Sequence, residues 1–296
     1  MPYFGEIAAL ITAVLWSITS IVFTEASLKV GSLLVNVTRL ILAFTYLTLT
    51  ILVMQLDINM SFAQFMNLAI SGFIGLVFGD GFLFKSFQYI GARISMLIMA
   101  LVPAMSTLMA FIFLDERISF VAVVGIFITL FGIAIVVLER GNKIEGKTNI
   151  SFQGIFYGFL GAVGQAVGII FAKQAFIEGP INGFVATQVR IVSSLIFFLP
   201  LFVFVKQIRH PIKIFRSETK AFIYTGIGSL VGPFLGITFS LIAIANAKVG
   251  VASTLMATVP IIMLPLVHFY YKEKLSIISI GGAIIAVFGI FLLFVN

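Results

Sequence analysis

Ten long stretches of the chain contain almost no charged residue, and each is long enough to cross a lipid bilayer as a helix. An α-helix needs about 20 predominantly apolar residues for this. The stretches, numbered here as spans 1 to 10, are residues 5–24, 32–54, 67–87, 93–113, 119–138, 151–172, 182–205, 221–245, 249–270 and 276–295. None shows the alternation of a transmembrane β-strand. The sequence therefore predicts an all-α integral membrane protein with ten transmembrane helices.

Composition narrows the possible chemistry. Only 29 of 296 residues are charged (18 Lys and Arg, 11 Asp and Glu), whereas about a quarter of the residues of a soluble domain are charged. The chain has no cysteine and two histidines, which leaves no thiolate metal site, disulfide or cysteine nucleophile. With a single acid inside the spans, it also offers no catalytic dyad or metal cluster at useful spacing. We expect no enzyme activity, no cofactor and no metal ion.

The sequence repeats itself at an offset of 157 residues. The matches include Gly75-x-x-x-Gly79 with Gly232-x-x-x-Gly236, Pro103 with Pro260, Glu116 with Glu273 and, at slightly different offsets, Trp16 with Gln165 and Arg39 with Arg190. Each half contains five helices, and because five is odd the second half must enter the membrane from the opposite side. We therefore predict a 5+5 inverted-topology repeat, with repeats at 1–140 and 151–296 and a linker at 141–150. This arrangement is typical of alternating-access transporters.

Basic residues are distributed unequally between the two sides of the predicted bundle. The connections after spans 1, 3, 5, 7 and 9 hold 13 of the 18 Lys and Arg residues, and the other side holds only Arg117, Lys173 and Lys248. The positive-inside rule then places both termini outside the cytoplasm, in a multi-pass protein of the cell membrane. The basic segment 206–220 is interpreted as an anchor to anionic lipid, so no nucleic-acid partner is expected.

Three charged residues lie well inside the spans, where they usually face a cavity or a partner. Arg39 lies seven residues into span 2 and Asp80 seven residues before the end of span 3, so both are about 11 Å from the same side. They are predicted to pair, unless Arg39 snorkels and Asp80 bonds local backbone. Arg190 has no matching acid, since Ile237 stands where the repeat would place one. Arg190 is a candidate for a substrate carboxylate or phosphate, with snorkelling as the alternative.

Further candidates are polar or helix-breaking side chains in the spans. Trp16 and Gln165 are predicted to lie near the substrate path with Arg39, Asp80 and Arg190. Asp80 and His268 are candidates for proton coupling, although the position of His268 near the end of span 9 favours an interfacial histidine. Pro103 and Pro260 lie near the middle of spans 4 and 9, where each removes a backbone donor; they are predicted hinges or helix breaks.

The doubled pattern resembles the EamA-type transporters of the drug/metabolite transporter superfamily. The residues that carry the resemblance are Trp16, Arg39, Arg190, and the series Pro103, Glu116, Ser119, Gly125 and Gly132, repeated as Pro260, Glu273, Ser276, Gly282 and Gly289. The resemblance covers essentially the whole chain. It implies a basket-like helical bundle whose central cavity is walled by spans 1, 3, 4, 6, 8 and 9, and export of amino acids, related metabolites or drugs. Both termini of this family are commonly cytoplasmic, opposite to the orientation that the basic residues predict here.

The sequence therefore favours a secondary transporter that moves a small metabolite, such as an amino acid, by alternating access, with export as the expected direction. A channel, or a membrane protein that moves lipids or drugs, is the alternative. The expected partners are a small-molecule substrate, the lipid bilayer and, as a candidate coupling ion, the proton. A monomer is expected.

Overall fold

The computed structural model describes residues 3–141, 151–204, 211–259, 261–263, 265–266 and 276–294. The first half contains α1 (Phe4–Val30), α2 (Ser32–Val53), α3 (Phe62–Gly72), the π-helix π1 (Phe73–Gly79), α4 (Asp80–Met99), α5 (Val102–Phe113) and α6 (Phe120–Gly141). The second half contains α7 (Phe152–Ile177), α8 (Gly183–Phe204), α9 (Pro211–Ser217), α10 (Thr219–Ser229), the π-helix π2 (Leu230–Gly236), α11 (Ile237–Asn246), α12 (Val249–Met256) and α13 (Ile277–Phe294). These residues form no β-strand.

Apolar helices account for the predicted spans. Among the described residues, five helical runs are long and apolar enough to cross a membrane: Phe4–Val30, Ser32–Val53, Phe62–Gly91, Phe152–Ile177 and Thr219–Asn246. The other predicted spans coincide with the shorter apolar helices of α5, α6, α8, α12 and α13. The prediction of an all-helical membrane architecture is thus confirmed. The exact number of ten crossings stays a prediction.

Both halves contain the same helical irregularity. The segments π1 and π2 are each seven residues long and begin 157 residues apart, at Phe73 and Leu230. They contain the glycine pairs that revealed the repeat in the sequence. A π-helix carries hydrogen bonds five residues apart and is frequent at functional sites. Its recurrence at the same offset shows that the duplication extends to backbone geometry.

Spans 4 and 9 are also interrupted at equivalent places. A turn at Ala100 and Leu101 separates α4 from α5, and a turn at Ala257 and Thr258 follows α12, again 157 residues later. Pro103 lies in the first turn of α5 rather than in a helix interior, so its missing N–H costs no helical hydrogen bond. The predicted helix break is present just before Pro103, and motion there stays a prediction. Pro260, His268 and Glu273 lie outside the described residues.

The two halves pack against each other reciprocally. Helix α1 of the first half packs on α10, π2 and α11, while α7 of the second half packs on α3, π1 and α4. The equivalent helices α2 and α8, α5 and α12, and α6 and α13 also contact each other. Reciprocal contacts of this kind are the pattern that a two-fold relation produces. The interior between the halves is therefore built from matching elements of both.

Glycines bring α7 close to the third helical run of the first half. A Cβ atom on Gly164 would lie 2.7 Å from the Cα of Gly79, and one on Gly168 would lie 3.0 Å from the Cα of Gly75. Backbone occupies the space that a side chain would need. The glycines thus set the distance between two walls of the interior, as small residues do in membrane helix packing.

We expect Gly164→Ala to lower the free energy of unfolding by about 1–3 kcal/mol, because the added methyl group must displace the backbone of Gly79. Gly81 of α4 offers a matched control, since a Cβ there would meet no atom within 4 Å. Gly81→Ala should leave stability unchanged or raise it slightly. The comparison is made by thermal unfolding of both purified variants in the same detergent. Equal midpoints would show that α7 can move away at no cost.

Candidate functional site

A cavity of about 140 Å³ lies between the two halves. Its walls come from α1, α4, α5, α7, α11 and α12 together with π1 and π2, while α2 and α8 each add one arginine. An apolar cavity of roughly this size can hold a benzene molecule, so the space suits a small molecule. All five residues predicted for the substrate path line it: Trp16, Arg39, Asp80, Gln165 and Arg190.

The lining residues are related in pairs by the internal repeat. The pairs are Trp16 and Gln165, Ser20 and Ile169, Phe23 and Ala172, Arg39 and Arg190, Asp80 and Ile237, Leu83 and Ser240, Phe84 and Leu241, Phe87 and Ile244, Met96 and Ser253, Met99 and Met256, and Ala100 and Ala257. The cavity therefore lies where the two repeats face each other. Its sharpest chemical asymmetry is the acid Asp80 opposite the apolar Ile237.

Arg39 and Asp80 form a buried ion pair. Nη2 of Arg39 donates to Oδ2 of Asp80, and Nε donates to Oδ1 of Asn36 at 2.8 Å. The guanidinium also lies over the rings of Phe84 and Phe23, with its Cζ atom 4.6 and 5.4 Å from their centroids. The pairing predicted for these two charges is thus present. Each charge is neutralised by the other inside the bundle, which a buried ion requires.

Gln165, from the other half of the molecule, donates the second hydrogen bond to the carboxylate of Asp80. Its Nε2 donates to the second carboxylate oxygen of Asp80 at 2.5 Å and to the carbonyl oxygen of Gly75 at 3.1 Å. Both oxygens of Asp80 are consequently in use. The sequence placed Gln165 near the substrate path as the repeat partner of Trp16, but its contact with Asp80 was not predicted.

Arg190 is the contrasting case: Asp80 attracts this buried arginine, but the two form no direct contact. Arg190 is 5% exposed, and its side chain makes no ion pair or hydrogen bond with any described residue. Its Nε atom is fully buried, and Nη2 lies 2.9 Å from the point where a Cβ on Gly75 would stand. The absence of a side chain at Gly75 therefore leaves room for the guanidinium at the cavity wall. Its cationic donors remain available to a ligand.

Trp16 adds a second free donor to the lining. Its Nε1 lies 2.8 Å from the point where a Cβ on Gly236 would stand, so a glycine of π2 makes room for the indole. The indole N–H makes no hydrogen bond with the part of the chain that the structure describes. Trp16 and Arg190 thus present N–H groups to the cavity.

A polar cluster that the sequence did not predict joins the two halves beside the cavity residue Ile244. Oε2 of Glu116 accepts a hydrogen bond from the backbone N–H of Val249 at 2.8 Å. Nζ of Lys173 lies 3.6 Å from Oε1 of Glu116 and donates to the carbonyl oxygens of Ile244 at 2.9 Å and Ala247 at 3.0 Å. We call this cluster the Glu116–Lys173 latch. It ties the end of α11 and the start of α12 to the loop after α5 and to α7, next to the cavity residue Ile244.

Two matching helical halves thus face each other across a mostly apolar cavity that holds a few charged and polar groups. A model of the EamA-like transporter family matches residues 3–138 and again residues 152–295. The chain belongs to the EamA-like transporter family, a group of multi-pass membrane transporters of the drug/metabolite type. Members of this family are transporters, not enzymes.

Two further comparisons concern single proteins. No curated protein matches the sequence. A crystal structure described only as that of a protein superposes with a TM-score of 0.77 and 14% sequence identity, over 98% of this chain and 97% of that one. At this identity the likeness extends to the fold alone.

Proposed function

We propose that this protein is a secondary active transporter of the cell membrane that carries a small carboxylate-bearing metabolite by alternating access. The observation that carries the proposal is Arg190, an unpaired cation buried at the wall of a cavity between the repeats. A guanidinium offers a planar fork of donors that matches a carboxylate. The charge of an arginine in such a place is costly unless a ligand pairs with it. Amino acids and related metabolites carry the required group, and export remains the proposed direction.

Alternating access is supported by the paired lining of the cavity. If the repeats have inverted topology, exchange of their two conformations opens the same cavity first to one side and then to the other. The reciprocal packing of α1 and α7 supplies the matching elements for this exchange. The excess of Lys and Arg after the odd-numbered spans supports a topology with both termini outside the cytoplasm. Asp80 is the proposed proton carrier, if transport is proton-coupled.

The Glu116–Lys173 latch is the proposed gate at its end of the cavity. It joins residues of both halves, and its two charged side chains are only 13% and 14% exposed. Opening this end requires breaking the contact of Glu116 with Lys173 and with Val249. An ion pair and a hydrogen bond stabilise the closed state of the gate, and both can break and re-form in each transport cycle.

The proposed function is tested by counterflow in proteoliposomes. Purified protein is loaded with unlabelled members of a panel of amino acids, hydroxy acids and other carboxylates, and uptake of the labelled compounds is followed. We expect saturable uptake that internal substrate accelerates, without ATP. Flux that does not saturate would point to a channel. Absence of flux for the whole panel would overturn the proposal.

We expect Glu116→Ala to open the latch end of the cavity. The change removes a charge-assisted hydrogen bond, typically worth about 1.5 kcal/mol or more, so the open population should rise about ten-fold. The chain has no cysteine, so Ile244→Cys reports opening through its rate of reaction with a maleimide in detergent. The matched control is Glu218→Ala, because Glu218 pairs with Lys29 at the exposed surface. Equal labelling rates in the two variants would argue against a gate here.

A further inference from the structure

We propose that the cavity selects monoanions, a carboxylate with a neutral apolar body, over zwitterionic amino acids of the same shape. This inference rests on the proposed function, because it names the charge class of the substrate carried at the same site. It departs from the amino-acid expectation drawn from the sequence. The argument depends on the charges of the lining and on which of its polar groups are already occupied.

The first observation is the formal charge of the lining. Among its described residues, Arg39 and Arg190 are cations and Asp80 is the single acid, which leaves one net positive charge. A monoanion neutralises this charge. A zwitterion adds no net charge, so the excess remains, and it brings an ammonium group into a cavity that is already positive. Burial of an uncompensated charge is costly, so the monoanion is favoured.

The second observation is that both carboxylate oxygens of Asp80 already accept a hydrogen bond and that its single negative charge is neutralised by Arg39. Oδ2 accepts from Arg39 and Oδ1 accepts from Gln165. The oxygens keep lone pairs, but a substrate ammonium would share one negative charge with Arg39, which pairs with Asp80, and with Arg190, which Asp80 also attracts. Asp80 therefore serves Arg39 and Gln165 rather than a ligand.

The third observation is that the remaining acceptors are neutral. Gln165 keeps Oε1, while the hydroxyls of Thr19, Ser20 and Ser240 donate to carbonyl oxygens of their own helices and retain lone pairs. These oxygens can accept a hydrogen bond from a substrate hydroxyl group. They do not neutralise an ammonium group. The charged group of the lining without a hydrogen-bonded partner is Arg190, a donor. The polar groups of the cavity therefore favour an anion.

The aromatic rings nearest the ion pair do not compensate for this lack of negative charge. A ring face can stabilise a cation, but the faces of Phe84 and Phe23 already hold the guanidinium of Arg39. Phe87, Met96 and Met99 extend the same wall with apolar surface. That wall fits a branched hydrocarbon body.

Three probes of nearly equal shape test the proposal. 2-Hydroxy-4-methylpentanoate has the carboxylate and a neutral hydroxyl, leucine has the carboxylate and an ammonium, and leucinamide has only the ammonium. We expect the hydroxy acid to bind purified protein at least about ten-fold more tightly than leucine, and leucinamide not to bind, as measured by calorimetric titration in detergent. Leucine binding as tightly as the hydroxy acid would overturn the inference and leave the proposed function standing. Failure of all three to bind, together with absence of flux in the carboxylate panel, would overturn both.

Substitutions at Arg190 separate charge from shape. Arg190→Gln makes the formal charge of the lining zero, so the preference for the hydroxy acid over leucine should fall toward equality. Arg190→Lys keeps the charge and should keep the preference, although both ligands bind more weakly without the planar donor fork. A preference that is unchanged in Arg190→Gln would overturn the charge argument.

Discussion

Replacement of Arg39 by methionine should lower the free energy of unfolding by about 3–5 kcal/mol, because it leaves the carboxylate of Asp80 buried without its counter-charge. The same replacement at Arg190 should leave stability unchanged or raise it by about 0.5–2 kcal/mol, because the cost of burying this cation exceeds its attraction to Asp80. Two arginines related by the repeat and equally buried, at 5% exposure, are thus expected to respond in opposite directions.

This pair of variants is compared by thermal unfolding in detergent without added ligand. Arg216→Met serves as the control, since Arg216 lies exposed in the last turn of α9 and its loss should be nearly neutral. If Arg190→Met proved as destabilising as Arg39→Met, Arg190 would have to be part of a structural ion pair, and its assignment to a ligand would be wrong.

Loss of the Arg190 guanidinium should weaken binding of a transported carboxylate by about 30-fold or more, since truncating one member of a buried, hydrogen-bonded charge pair costs about 2 kcal/mol or more. Arg190→Gln is the variant of choice because glutamine keeps a polar side chain while removing the charge. Affinity is measured with the tightest-binding member of the carboxylate panel, and transport is measured by counterflow.

The matched control for this second experiment is Arg216→Gln, which removes the same charge from the protein but not from the cavity. Its affinity and transport should equal those of the unmodified protein. Parental affinity in Arg190→Gln would exclude Arg190 from the substrate site.

The sequence predicted best those features that depend on a residue type with few possible environments in the membrane. A charge inside an apolar span needs a partner or a cavity, which is why the ion pair of Arg39 with Asp80 could be predicted from depth alone. The five residues predicted for the substrate path were drawn from the few polar groups in the spans; the structure places all of them around one cavity, and their role in transport stays a prediction. The lack of an acid opposite Arg190 also followed from the Ile237 at the repeat position.

Other features depend on contacts between distant segments and had no signal in the pattern of residues. Glu116 and Lys173 counted in the sequence as a repeat motif and a loop charge. Only the fold joins them to Val249 and to the carbonyl oxygens of Ile244 and Ala247. The π-helices shift the hydrogen-bond register without a change in composition, so the glycine pairs indicated close packing but not this geometry. Pro103 marked a break in span 4, yet the chain turns two to three residues earlier, at Ala100 and Leu101.

The most direct measurement is the position of a bound carboxylate in an experimental structure of the purified protein with its tightest-binding ligand. We expect the carboxylate oxygens to lie about 2.7–2.9 Å from the guanidinium nitrogens of Arg190, with the apolar body against the methionine and phenylalanine wall. Asp80 should keep its bonds to Arg39 and Gln165. A carboxylate bound elsewhere in the protein, with Arg190 still unpaired, would contradict the proposed site.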